Sequence, residues 1–165
     1  NLLAYVLSGA KNGRLTEQLV YVRQLAADVN AFQDGRLRDG EFGIIATARP
    51  GHALPELQAV IDSQVARLVA DGPTTRELEQ AKNSFEASML EQLEYGGAVA
   101  DQLNSYYYFT GTPDYLARDI ARIRAVTAAD IQRVAHTYLQ APRVILSVVP
   151  EGKPELAASA AEVRP

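Results

Sequence analysis

The sequence contains no cysteine. A disulfide framework, a thiolate zinc site and a cysteine nucleophile are therefore excluded, while a reducing and an oxidising compartment both remain open. Histidine is scarce: His52 and His136 lie far apart, and neither has a carboxylate at zinc-motif spacing. No HxxEH or HxxxH helix is written in the chain. The net charge of −4 offers nothing to draw the protein to a phosphate backbone, which argues against nucleic-acid binding. No apolar run approaches the roughly 18 residues of a membrane span. No glycine-rich loop follows a strand to cradle phosphate, and no serine sits in a nucleophile elbow. What is present is an ordinary globular balance, 47% apolar and 22% charged over 165 residues. That is enough for one domain with a real core and too little for two of ordinary size. The chain starts at Asn1 inside the apolar run NLLAYVLSG, which reads as a cut, with any signal segment upstream.

Apolar spacing organises the rest. Leu2, Leu3, Val6 and Leu7 predict a first helix ended by Gly9. KNGRLTEQLVYVRQ predicts a second, with Asn12 as N-cap and Leu15, Leu19 and Val22 on one face. From Ala27 the period changes to two, with Ala27, Val29 and Ala31 on one side and Asp28 and Asn30 on the other. DGRLRDG is a turn, and EFGIIATA forms a second strand over 41–48 with Phe42, Ile44 and Ala46 on one side. Together they predict a β-hairpin stopped by Arg49-Pro50-Gly51. Leu54, Leu57, Val60, Ile61, Val65 and Leu68 form an amphipathic helix ending near Asp71-Gly72-Pro73. Thr74-Thr75-Arg76-Glu77 is a capping box. It opens a long helix over about 75–108, which Gly96-Gly97 should kink or break. Thr112-Pro113 opens another helix. Thr127 caps a last one, carrying Ile131, Val134, Ala135 and Tyr138. RVILSVVP, 143–150, reads as a buried strand, and 151–165 as linker or frayed tail. Residues 1–150 then make a single α+β domain, a mostly antiparallel sheet with helices packed on one face.

Chemistry is sparse. His52 is expected in an exposed loop and His136 on a helix surface. Lys82 and Glu86 read as an i,i+4 ion pair on a wet face, with Glu91 and Glu94 beside them. Tyr106-Tyr107-Tyr108-Phe109 could stack on a base or sugar, but successive helical residues point different ways, which favours packing with partial exposure. These residues alone name no function.

Four segments, in order, resemble the pitrilysin/insulinase-type zinc metallopeptidase family, which includes mitochondrial processing peptidase. They are LLAYVLSGAKNGRLTEQLV, the hairpin LAADVNAFQDG with GEFGIIATARPG, the helix start GPTTRELEQAKNSFEASML, and VTAADIQRVAHTYLQAPRVILSVVPEGK. The long tandem-domain bacterial members are the most similar group; they leave the periplasm as one candidate compartment, and the residues assign none.

The resemblance implies a half-chamber-like domain, cut at its N-terminus, on the substrate side. Zinc and the general base would lie in another domain or subunit, and this chain would hold no cofactor of its own. Its partners would be that catalytic domain and a peptide or protein substrate. In many members this domain supplies an Arg and, seven residues later, a Tyr near the substrate carbonyl. Val20 and Ala27 stand at those positions and can donate nothing. Arg23, about 300° around an α-helix from Val20, could partly replace it. Val20, Arg23 and Ala27 are thus the substrate-side candidates. The rival reading is an inactive scaffold or protein-binding subunit of the same family.

Overall fold

The computed structural model describes residues 1–36 and 38–158. In chain order these form α1 (Leu2–Ser8), a 3-10 turn (Ala10–Asn12), a π-helical segment (Thr16–Val22), β1 (Ala26–Gly35), β2 (Gly40–Ala48), α2 (Leu54–Asp71), α3 (Thr75–Gln92), α4 (Gly96–Thr110), α5 (Leu116–Ala125), α6 (Ala128–Leu139) and a 3-10 turn (Pro154–Leu156). The architecture is α+β, an antiparallel hairpin with helices packed on one face. Of the expected turn over 34–40, Leu37 lies outside the described residues, as do the last seven positions of the expected tail 151–165.

The core gathers where α1, the π-helical segment, the hairpin, α2, α3 and α6 converge. Leu7, Leu15, Leu19 and Leu68 are fully enclosed there. Each such side chain contributes roughly 2 kcal/mol on burial. Tyr5 of α1 meets Phe85 of α3 edge to face at 5.8 Å between ring centroids.

The short motifs Gly13-Arg14-Leu15 and Gly72-Pro73-Thr74 to Glu77 are brought together by this packing. Gly13 sits so close to the backbone of Ser8 and Gly9 that a Cβ would fall 2.6 Å from their atoms. Arg14 Nε donates to Glu77 Oε1 at 2.6 Å, and Nη2 donates to Glu77 Oε2 and to the Gly72 carbonyl, each at 2.9 Å. The Thr74 cap forms as expected: its hydroxyl oxygen accepts from Glu77 N–H at 3.2 Å, and Glu77 Oε2 accepts from Thr74 N–H at 2.7 Å. Burial opposes ionisation of Glu77. The Arg14 guanidinium and the Thr74 donors outweigh it and bring the Glu77 pKa down to about 2. Asp130 plays the same capping role for Thr127 at the start of α6.

In the hairpin, Val29, Phe42, Ile44 and Ala46 pack onto the core, and Ala31 is buried in it, as the alternation predicts. Ala27 does not follow. Ala26 pairs with Ala48 and the next pair is Asp28 with Thr47, so Ala27 is the extra residue of a β-bulge. The bulge reverses the phase locally: Ala26 is buried and Ala27 is exposed. The Phe32 ring lies across Gly43, and a side chain at Gly43 would collide with it.

Other expectations are corrected by the geometry. The second helix is not one α-helix: a 3-10 turn precedes a π-helical segment, whose wider winding carries Val22 away from Leu15 and Leu19 and leaves it 62% exposed. The long helix breaks at 93–95, and Gly96-Gly97 open α4 rather than forming the break. α5 begins at Leu116, not at Pro113, because Thr112 is taken into a turn in which its hydroxyl oxygen accepts from Asp114 N–H at 3.3 Å. Tyr138 is exposed although it shares a helix with buried Ile131 and Ala135. Lys82 pairs with Glu79, not Glu86, which binds Arg124 of α5 instead. His136 is exposed, while His52 is half-buried against Glu56. Residues 143–150 form no strand, since nothing among the described residues pairs with them. Tyr106 is buried and its hydroxyl donates to Asp119 at 3.3 Å, whereas Tyr107, Tyr108 and Phe109 are exposed, the mixture of packing and exposure that helical geometry predicts.

Candidate functional site

Three departures from regular backbone fall between Thr16 and Ala27, between the core helices and the hairpin. Arg23 N–H donates to the Gln18 carbonyl at 3.0 Å, a bond that closes the last π-turn. Gln24 follows with φ of +53°, a left-handed conformation that costs a non-glycine residue about 1–2 kcal/mol. Three residues on comes the Ala27 bulge. π-turns, left-handed non-glycine residues and bulges each concentrate at functional sites.

Arg49, at the far end of β2, holds this turn in place. Its N–H donates to the Leu25 carbonyl at 2.8 Å. Its Nε donates to the Ala26 carbonyl at 3.0 Å, and Nη2 reaches the Val20 carbonyl at 3.5 Å. One side chain thus ties the end of the π-helical segment to the start of β1. In sequence, Arg49 reads only as part of the Arg-Pro-Gly stop after the hairpin, because its three carbonyl partners are more than twenty residues upstream.

Beside the turn lies a cleft of about 410 Å³. Arg23 and Leu25 form one wall, and Glu56, Val60, Ser63 and Gln64 of α2 form the other. Glu56 is anionic. The Ala53 N–H at 3.0 Å and His52 at 3.3 Å hold its carboxyl below the usual carboxylate range. Gln64 is only 7% exposed. It sits on the Val60–Leu68 stripe of α2, and this polar interruption of an apolar stripe was the signal by which sequence reading could have found it.

Of the three candidate residues, only Arg23 lines the cleft and carries donors. It follows the last π-turn, so the angular argument from an α-helix no longer places it relative to Val20. Val20 is half-buried against the core, and Arg49 engages its carbonyl rather than its side chain. Ala27 presents a methyl group at the bulge. The turn therefore brings the three together on one short segment and gives hydrogen-bonding capacity to Arg23 alone.

The residues do not fit a zinc ion. Among the described residues no three His, Asp or Glu side chains converge, and the two histidines lie on different elements. The Glu77 carboxylate is committed to Arg14 and the α3 cap. No described helix is long and apolar enough to cross a membrane.

A probable mitochondrial-processing peptidase subunit beta of Arabidopsis thaliana is 27% identical over 135 residues, covering 80% of this chain and 24% of that protein. An uncharacterized zinc protease of Streptomyces coelicolor is 28% identical over 148 residues, covering 90% of this chain and 32% of that protein. The chain thus spans 24% to 32% of the length of these relatives. The crystal structure of a protease from Helicobacter pylori superposes with a TM-score of 0.72 at 25% identity, covering 84% of this chain and 33% of the other. The family profile described as peptidase M16 inactive domain matches residues 1–85, about half of the chain and all of the hairpin, cleft and Arg14–Glu77 core. The chain belongs to the peptidase M16 inactive-domain family.

Proposed function

We propose that this chain is a non-catalytic, substrate-side domain of a zinc-dependent metalloendopeptidase. It would close a chamber over a site whose zinc and general base lie in another domain or subunit. Residues 1–150 would be the working unit and 151–165 a link onward. The observation that carries this reading is the inactive-domain match over the hairpin and cleft. The names of the relatives, one a processing-peptidase subunit and one a zinc protease, support peptide hydrolysis as the activity of the larger assembly. Within it, Val20 and Ala27 supply no polarising group, so substrate contact falls to Arg23 and the cleft behind it.

Peptide cleavage by the full-length protein, with and without a zinc chelator, tests the proposal beside the 165-residue chain alone. Chelator-sensitive cleavage by the former and none by the latter is expected. Failure of the full-length protein to cleave at any zinc level would overturn it. That result would favour the scaffold reading, which the donor-free side chains of Val20 and Ala27 already support to some degree.

A further inference from the structure

We infer that the cleft between the Arg23 turn and α2 is a subsite for an uncharged, extended peptide segment, anchored by the Gln64 carboxamide. This rests on the substrate-side reading and deepens it. Gln64 is the one polar residue buried among the described residues, no hydrogen bond to its carboxamide forms among them, and the side-chain atom that is fully enclosed without a partner is Gln58 Oε1 instead. Gln64 is not sealed in the core, however. It lines the cleft, so its amide faces whatever the cleft holds.

The surrounding groups select the occupant. Arg23 and Glu56 place one cation and one anion at the cleft, a net charge of zero that rewards neither an acid nor a base. Glu56 is already bonded to Ala53 N–H and His52, while Arg23 forms no ion pair among the described residues and keeps its donors. Leu25 and Val60 supply apolar wall. A carboxamide is donor and acceptor at once and can meet both the C=O and the N–H of a peptide backbone. Arg23 can then donate to a further carbonyl, and a small apolar side chain can rest on Leu25 and Val60. The volume, about 410 Å³, is that of a ligand-sized site.

The test is a titration of the 165-residue chain with the blocked peptide acetyl-Ala-Leu-Ser-Leu-Ala-amide, followed by NMR of the Gln64 side-chain amide. Saturable movement of that signal is expected. Gln64→Leu should weaken binding about tenfold. Ala59→Phe, which fills the cleft and leaves Gln64 in place, should weaken it as much, and guards against a folding defect in the first variant. Peptides with Lys or Glu at the centre should bind more weakly than the neutral one. No movement at Gln64 with millimolar peptide, unchanged binding in both variants, or preference for a charged peptide would each overturn the inference. Binding with no cleavage by the full-length protein would sink the proposed function alone. Cleavage with KM unmoved by Gln64→Leu would sink the subsite alone.

Discussion

Arg14 and Glu77 stand 63 positions apart in the chain and share a bidentate contact that joins the first turns of the fold to the start of α3. The sequence showed Glu77 as half of a capping box with Thr74, because that partner is three residues away. Its larger role needed Arg14, and a pairing across 63 residues leaves no local pattern to read. The consequence is measurable as a pH dependence. The folded-state pKa of Glu77, about 2, lies below its ordinary value of 4.5. A depressed carboxylate pKa stabilises the fold fully above the unfolded value and loses that contribution as pH falls through the folded one. Glu77→Gln keeps the side chain's shape and its cap acceptor while removing the charge. It should cost about 2 kcal/mol at pH 7, the range for hydrogen bonds to a charged group. The gap between variant and parent, read from urea unfolding, should narrow steadily from pH 5 towards pH 2. A gap that stayed constant over that range would mean that the charge on Glu77 does not hold these elements together.

At the scale of the element, the segment from Thr16 to Ala27 separates what periodicity can tell from what it cannot. Leu15 and Leu19 sit at a spacing that serves an α-turn and the start of a π-turn equally well, and both were correctly placed in the core. Val22 distinguishes the two windings, and it points out. The bulge was hidden for a related reason: Ala26 and Ala27 are the same residue type, so the alternation could be counted in either phase. Gln24 carries the strain of the junction, and Arg49 holds it. Gln24→Gly should be neutral or stabilise by up to about 1 kcal/mol, because glycine adopts positive φ freely. Gln24→Val should cost at least about 1–2 kcal/mol, since a β-branched residue is poorly tolerated there. Arg49→Ala should leave α2 and α3 protected in hydrogen exchange while the amides of residues 23–28 lose protection. Equal loss over all the helices would make Arg49 a core residue rather than a clamp on the turn.

At the scale of the whole molecule, the helices and hairpin that bury Leu7, Leu15, Leu19 and Leu68 were legible, because each carries its own apolar face. Residues 143–150 were misread: their apolar composition predicts a buried strand, whereas they form no strand and are mostly exposed, because composition cannot supply a pairing neighbour. Arg143 anchors the segment to Asp62 of α2 at 2.6 and 2.8 Å, and Ser147 Oγ accepts from Ala158 N–H at 3.1 Å. Along this segment Val144, Leu146 and Val148 are 96%, 85% and 84% exposed, while Ile145 is 36% exposed and Val149 is partly covered. The alternation is that of a strand with one face lightly covered and the other bare. No backbone group of 143–149 bonds to backbone among the described residues. An exposed apolar segment with unbonded N–H and C=O groups is a template for pairing with another chain. The 165-residue chain should therefore self-associate at micromolar concentration. Leu146→Lys with Val148→Lys should return it towards monomer in light scattering. The melting temperature should hardly move, because side chains this exposed contribute little packing. Association that survived both lysines would shift the contact to α4, where Tyr107, Tyr108 and Phe109 form another exposed apolar surface. Tyr107→Ser would then be the variant that restores the monomer, and the segment would be ruled out as the adhesive edge.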